Sequence, residues 1–164
     1  MIYEDVFRSL TEKKVKYAVA GGVAAVLHGV VRFTADLDII IEMSPRNIDG
    51  LFSVLADLGY KPKLPVTAGQ FKDARLRREW IVEKGMKAFS FFHVNNPLRM
   101  IDILVGESAS YSRFKRESFH AKDLNIPVIS VTDLKRLKKK AARPQDMADV
   151  RSLTELEKMR RKRR

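Results

Sequence analysis

The chain of 164 residues has no cysteine, which excludes disulfide scaffolding and thiolate metal sites and fits a reducing compartment. It has no apolar run approaching the roughly 20 residues that cross a bilayer as a helix, so no membrane association is expected. The N-terminal MIYEDVFRSLTEKK lacks the basic-then-apolar order of a secretory signal, and the expected location is the cytoplasm. The G-x-G-x-x-G spacing of a dinucleotide fold is missing, since the paired glycines read AGGVAA. Acidic residues are also in short supply: 20 Asp and Glu stand against 32 Lys and Arg, for a net charge of +12.

That excess is uneven. Lys158, Arg160, Arg161, Lys162, Arg163 and Arg164 supply six positive charges, leaving 26 basic against 20 acidic residues, or +6, in residues 1–157. Such a run attracts polyanions through counterion release and long-range steering, or serves only as a solvated end that aids solubility. A second cluster comprises Lys135, Arg136, Lys138, Lys139, Lys140 and Arg143. The length suits one core and not two, so a single domain over residues 1–157 with a basic tail at 158–164 is expected.

The chemistry concentrates in YAVAGGVAAVLHGVVRFTADLDIIIE, residues 17 to 42. It reads as a buried strand, a glycine pair, a small apolar helix, a link with Arg32 and Thr34, and a second strand opening on two aspartates. Strand alternation puts Asp36, Asp38 and Ile40 on one face and Leu37, Ile39 and Ile41 on the other. Two carboxylates on one face of so apolar a strand are costly unless positive charge lies between them, and a divalent metal is the natural candidate. LRMIDILV, residues 98 to 105, supplies a further acid, Asp102, in an otherwise hydrophobic row. Three aspartates on two strands give hard oxygen ligands suited to magnesium, whose remaining ligands come from water and substrate phosphates.

Gly21-Gly22, then Asp36-Leu37-Asp38, then Asp102 in an apolar strand, resembles the signature of the nucleotidyltransferase superfamily with the polymerase β-like fold. The link RFTADLDI resembles the R-x-T-x-D-[LI]-D-[IL] form of the AbiEii-type, toxin-like branch, and LKKKAARPQDMADVRSL resembles the lysine-then-R-P-x-D helix ending that branch. Ala142 departs from the pattern, which has glycine before the arginine. The resemblance implies an α/β fold with a mixed central sheet flanked by helices, the core over about 1–130 and C-terminal helices over about 131–157. It implies nucleotidyl transfer from a nucleoside triphosphate, with two magnesium ions held by Asp36, Asp38 and Asp102. It also implies an RNA acceptor such as the 3′ end of tRNA, a toxin role and an antitoxin partner. Lys138 matches the branch lysine and is assigned to the triphosphate, its stem covering apolar surface while the ammonium reaches the site.

Other residues carry two readings each. Gly21 and Gly22 either let phosphate oxygens approach backbone N–H groups or make a tight strand-to-helix turn. Arg32 and Thr34 can reach a triphosphate or be ordinary link residues. His28 reads as a packing or surface histidine. Asp146 reads as a first-turn acid favouring the helix dipole, and Asp149 as a surface ion-pair partner.

The remaining elements are a helix over 2–14, a helix opening at Ser44-Pro45 and ending at Gly59, and one helix over Thr67–Lys84. In that last segment Lys72, Arg75, Arg77 and Arg78 form a solvated face or line a groove. A hairpin joins strand 88–94 to the Asp102 strand through Asn95-Asn96-Pro97, with a short helix near 109–115, strands near 117–121 and 126–130, a basic helix over 131–142 and a last helix from Pro144. Two other functions stay open: transfer to a small hydroxylated molecule, as in antibiotic-modifying relatives, and a non-enzymatic nucleic-acid-binding module.

Overall fold

Hydrophobic alternation and helical spacing divide the chain into α1 (Glu4–Glu12), β1 (Tyr17–Val19), α2 (Gly21–Leu27), β2 (Leu37–Ile41), α3 (Pro45–Asp57), β3 (Tyr60–Pro62), α4 (Ala68–Lys72), α5 (Ala74–Val82), β4 (Ala88–His93), β5 (Asn96–Leu104), β6 (Arg116–Ala121), β7 (Leu124–Ile129), α6 (Val131–Ala141) and α7 (Pro144–Lys162). The computed structural model describes residues 2–162, Ser108 by its backbone alone. In place of the short helix near 109–115 there are two 3-10 turns, Glu107–Ala109 and Tyr111–Arg113.

The strands form one mixed sheet in the order β3-β4-β5-β2-β1-β7-β6. β2 lies antiparallel to β1 and parallel to β5, and β4 and β5 make the expected antiparallel hairpin. The two faces differ in kind. Tyr17, Val19, Leu37, Ile39, Ile41, Phe89, Phe91, Ile101 and Ile103 share one face and are buried. Phe7 of α1 stacks on Tyr17 there, Phe52 of α3 meets Phe91 edge-on at 5.2 Å, and Phe71 of α4 lies 4.8 Å from Phe89. The ring spacings of this aromatic cluster lie in the favourable range. Asp38, Asp102 and Ser90 occupy the opposite face, which α2 covers with α6 and α7 behind it.

The single helix expected over Thr67–Lys84 is two. Thr67 and Gln70 form a capping box that starts α4. Asp73 then ends that helix in an extended conformation, and its carboxylate accepts from the backbone N–H groups of Arg75 and Leu76 to start α5. The basic run also departs from a separate tail: Lys158 to Lys162 continue α7, while Arg163 and Arg164 lie outside the described residues.

Ala142, between α6 and α7, has φ 54° and ψ 22°, the left-handed region in which Cβ crowds the backbone. That conformation is the physical reason a glycine suits the position. Ala142→Gly is expected to stabilise the protein by about 0.5–1 kcal/mol. The check is urea denaturation, and an unchanged or lower midpoint would count against a strained turn.

Candidate active site

The register of β2 on β5 sets the geometry. Leu37 stands opposite Ile101, Asp38 opposite Asp102, and Ile39 opposite Ile103. All four apolar residues are fully buried, so a one-residue slip would drive the carboxylates into the aromatic core. The Tyr3 hydroxyl, reaching over from the start of the chain, donates to the Met100 carbonyl at 2.9 Å and lies against the Ala35 carbonyl. It thereby staples the residues leading into β2 to the partner strand. Asp36, one residue before β2, is exposed at this mouth.

Asp38 and Asp102 therefore face each other on neighbouring strands. Burial, then the Asp102 charge, push the Asp38 carboxyl up to about 6. Asp36 adds to that push, while the Gly22 backbone N–H and the Lys138 ammonium oppose it. Oδ1 of Asp102 is buried and has no hydrogen-bond partner. A buried acceptor left unmade costs on the order of 1–3 kcal/mol. Two facing carboxylates, one with an orphaned oxygen, form a donor set short of positive charge, and hard oxygen donors of this kind fit a magnesium ion. Among the described residues no group of three acids or imidazoles stands close enough to hold an ion. The structure thus pairs Asp38 with Asp102 and leaves Asp36 on the approach.

The glycine pair has a more specific task than a turn. Gly21 has φ +60°, and a Cβ there would sit 1.8 Å from Oδ2 of Asp38. A Cβ on Gly22 would sit 2.4 Å from Oγ1 of Thr34 and 3.3 Å from Nη2 of Arg32. The glycines make room for the acid and for the link, and they bring Thr34 and Arg32 against the start of α2.

Behind the link lies a charge network built on Asp149, which sequence reading placed at the surface. Asp149 is 1% exposed and receives Arg32 at 2.6 Å and Lys138 at 2.6 Å. Asp146, in the first turn of α7 as expected, is also buried and takes Arg143 at 2.6 Å and Lys138 at 3.4 Å. Burial alone would raise both aspartates, yet Lys138, Arg143, Gln145 and Arg32 hold them below the usual carboxylate range. Asp149 is therefore no surface ion-pair partner. The Lys138 ammonium is engaged by these two acids instead of projecting freely into the site, although its charge is felt at Asp38. Arg143 in turn feels the Asp38 charge. The signal for the buried acids was their i, i+3 spacing on the side of α7 that carries Val150 and Leu153.

Two neighbouring features lie apart from the aspartates. His28 packs as expected: it is buried, and its Nε2 lies 2.8 Å from the Ile129 carbonyl. Arg75 and Arg78 are exposed, while Arg77 folds back to donate to the Phe71 carbonyl above that ring. A cavity of about 570 Å³ opens on the aromatic face, beyond the C-terminal ends of β2 and β5, among Ile41, Met43, Arg77, Ile81, Val105 and Tyr111. None of the three aspartates lines it.

No protein-family profile and no curated protein sequence matches the chain. Solved structures do. The lincosamide antibiotic adenylyltransferase LnuA, determined with lincomycin bound, superposes with a TM-score of 0.61 at 18% identity over 92% of this chain and 93% of its own. The antibiotic-resistance factor ANT(2'')-Ia gives 0.61 at 10% identity over 99% of this chain and 90% of its own. An antigenic nucleotidyltransferase-like protein from Paracoccidioides brasiliensis gives 0.55 at 16% identity over 92% and 71%. The chain has the nucleotidyltransferase fold, a mixed sheet flanked by helices, as the sequence led one to expect. No helix among the described residues is long and apolar enough to cross a membrane.

A carboxyl whose folded value exceeds its unfolded one stabilises the fold when protonated, and that contribution is lost as pH rises from about 4 through about 6. In chelator, Asp38→Asn should therefore stabilise the protein by roughly 2–3 kcal/mol at pH 8 and by much less near pH 4. Thermal melts across that range check it, and a pH-independent difference would contradict the shift. Asp149→Ala leaves Arg32 and Lys138 facing each other unneutralised and should cost about 3 kcal/mol in urea denaturation. A loss under 1 kcal/mol would deny the network its role.

Proposed function

We propose that the chain is a nucleotidyltransferase, moving a nucleoside monophosphate from a nucleoside triphosphate to a hydroxyl on RNA. The observation that carries this is Asp38 facing Asp102 in strict register, with an Asp102 oxygen buried and unpartnered. Asp38 and Asp102 would hold magnesium, with Asp36 contributing at the mouth to a second ion. Bound there, the metal supplies charge neutralisation for the triphosphate and acidifies the attacking hydroxyl.

The chain's own residues do the rest. Register and the buried isoleucines hold the two carboxylates rigidly, so little reorganisation is needed when substrate arrives. Arg32, fixed from behind by Asp149, and Thr34, fixed against Gly22, orient triphosphate oxygens. Gly21 and Gly22 keep that space clear. Lys138 and Arg143 set the positive potential behind Asp38. The Asp102 carboxylate accepts the proton of the acceptor hydroxyl as it attacks the α-phosphorus, and pyrophosphate leaves.

An RNA acceptor is supported by the +12 charge and the basic end of α7. The toxin-like resemblance narrows it to the 3′ end of tRNA, with an antitoxin as the controlling partner. A second reading, transfer to a small hydroxylated molecule, is favoured by the likeness to LnuA and to ANT(2'')-Ia, solved with adenylyl-2''-tobramycin.

Incubation with each α-labelled nucleoside triphosphate, magnesium and either total RNA or a small polyol separates the two by which product carries label. Asp38→Asn and Asp102→Asn should each lower transfer by roughly 10²–10³-fold with the circular dichroism spectrum intact. Magnesium should raise the melting temperature of the parent protein and not of either variant. Full magnesium-dependent transfer by an asparagine variant would refute the assignment.

A further inference from the structure

The link between α2 and β2 alternates sharply in exposure. Val30 is buried, Val31 is 100% exposed, Arg32 turns inward to Asp149, Phe33 is 81% exposed, and Thr34 turns inward to Gly22. The inward pair lines the proposed triphosphate site. The outward pair places a bare aromatic ring in solvent three residues from Asp36, and nothing in the fold needs it there. An exposed phenylalanine forgoes the gain from burial, so a ring kept at such a position suits a ligand with a flat apolar face.

The same link runs beside the basic end of α7. Arg160 donates to the His28 carbonyl at 2.9 Å, and a Cβ on Gly29 would sit 3.6 Å from Leu156. Lys158 is paired with Glu155 at 2.8 Å, whereas Arg160, Arg161 and Lys162 are exposed and have no carboxylate partner among the described residues. Because Arg32 meets Asp149 while His28 and Gly29 meet Arg160 and Leu156, the link runs along α7. The unneutralised cations begin about 16 Å along that helix from the contact beside which Phe33 is exposed. Single-stranded nucleic acid is bound by this combination, phosphates along the cations and bases on the rings. A lincosamide-sized acceptor would have no use for cations so far out on α7.

Building on the RNA-acceptor reading, we infer that Phe33 is the platform on which a base near the RNA 3′ end stacks, and that Arg161 and Lys162 carry the phosphates leading to it. Phe33→Ala should raise the KM for RNA about 10-fold, the low end of a lost stacking contact, and leave the KM for the triphosphate where it was. Phe33→Trp should restore RNA affinity, with indole emission quenched as a short single-stranded RNA bearing a free 3′-hydroxyl is added. Arg161→Gln with Lys162→Gln should flatten the slope of log affinity against log salt by roughly 1.4, about 0.7 per phosphate contact. Because all three side chains are exposed, none of these changes threatens folding.

RNA that is labelled equally well by Phe33→Ala, or a triphosphate KM that rises instead of the RNA KM, overturns the stacking role and leaves RNA transfer standing. Absence of RNA binding or labelling by the parent protein, with label on a small polyol, overturns both.

Discussion

Two like charges set face to face on adjacent strands are the condition around which the molecule is arranged. In water Asp38 and Asp102 would tolerate each other; on the sheet, burial first and the facing Asp102 charge second displace the Asp38 carboxyl upward. What keeps them together is hydrophobic. Leu37, Ile39, Ile101 and Ile103 gain their burial only in the register that opposes the acids. The repulsion is thus sustained by the other side of the same two strands, a common way for a fold to hold a strained constellation.

Positive charge reaches this pair indirectly. Lys138 and Arg143 influence Asp38, yet both are occupied by acids of α7. Asp149 orders three elements at once, receiving Arg32 from the link and Lys138 from α6 while itself standing on α7. The C-terminal helices are in this sense the back wall of the site.

The sheet and the acid pair were legible in the sequence because both follow from alternation: buried isoleucines on one parity leave aspartates on the other. The hairpin and the final helices were legible from turn residues and apolar spacing. The break at Asp73 was not, since an aspartate within an amphipathic stretch reads equally as a surface residue or as a cap, and only local backbone geometry decides. Asp149 was placed at the surface, as charged residues are by default, and its pairing with Lys138 was not visible. Their burial depends on the α6–α7 turn at Ala142, whose left-handed conformation brings the two helices together. Gly21 was noticed for the right reason of size, but the neighbour it accommodates, the Asp38 carboxylate, could be known only once the strands were paired.

One consequence of the two-faced sheet concerns how such a chain changes over time. Phe52, Phe71, Phe89 and Phe91 consolidate the interior from one side, and Ala18, Ile40, Ala24 and Leu134 close the other, so the link's outward side chains and the outer surface of α7 take no part in it. Substitutions around the link or along the outer surface of α7 can accumulate without loosening the interior. A lineage built on this plan is free to remodel that surface while its scaffold stays as it was.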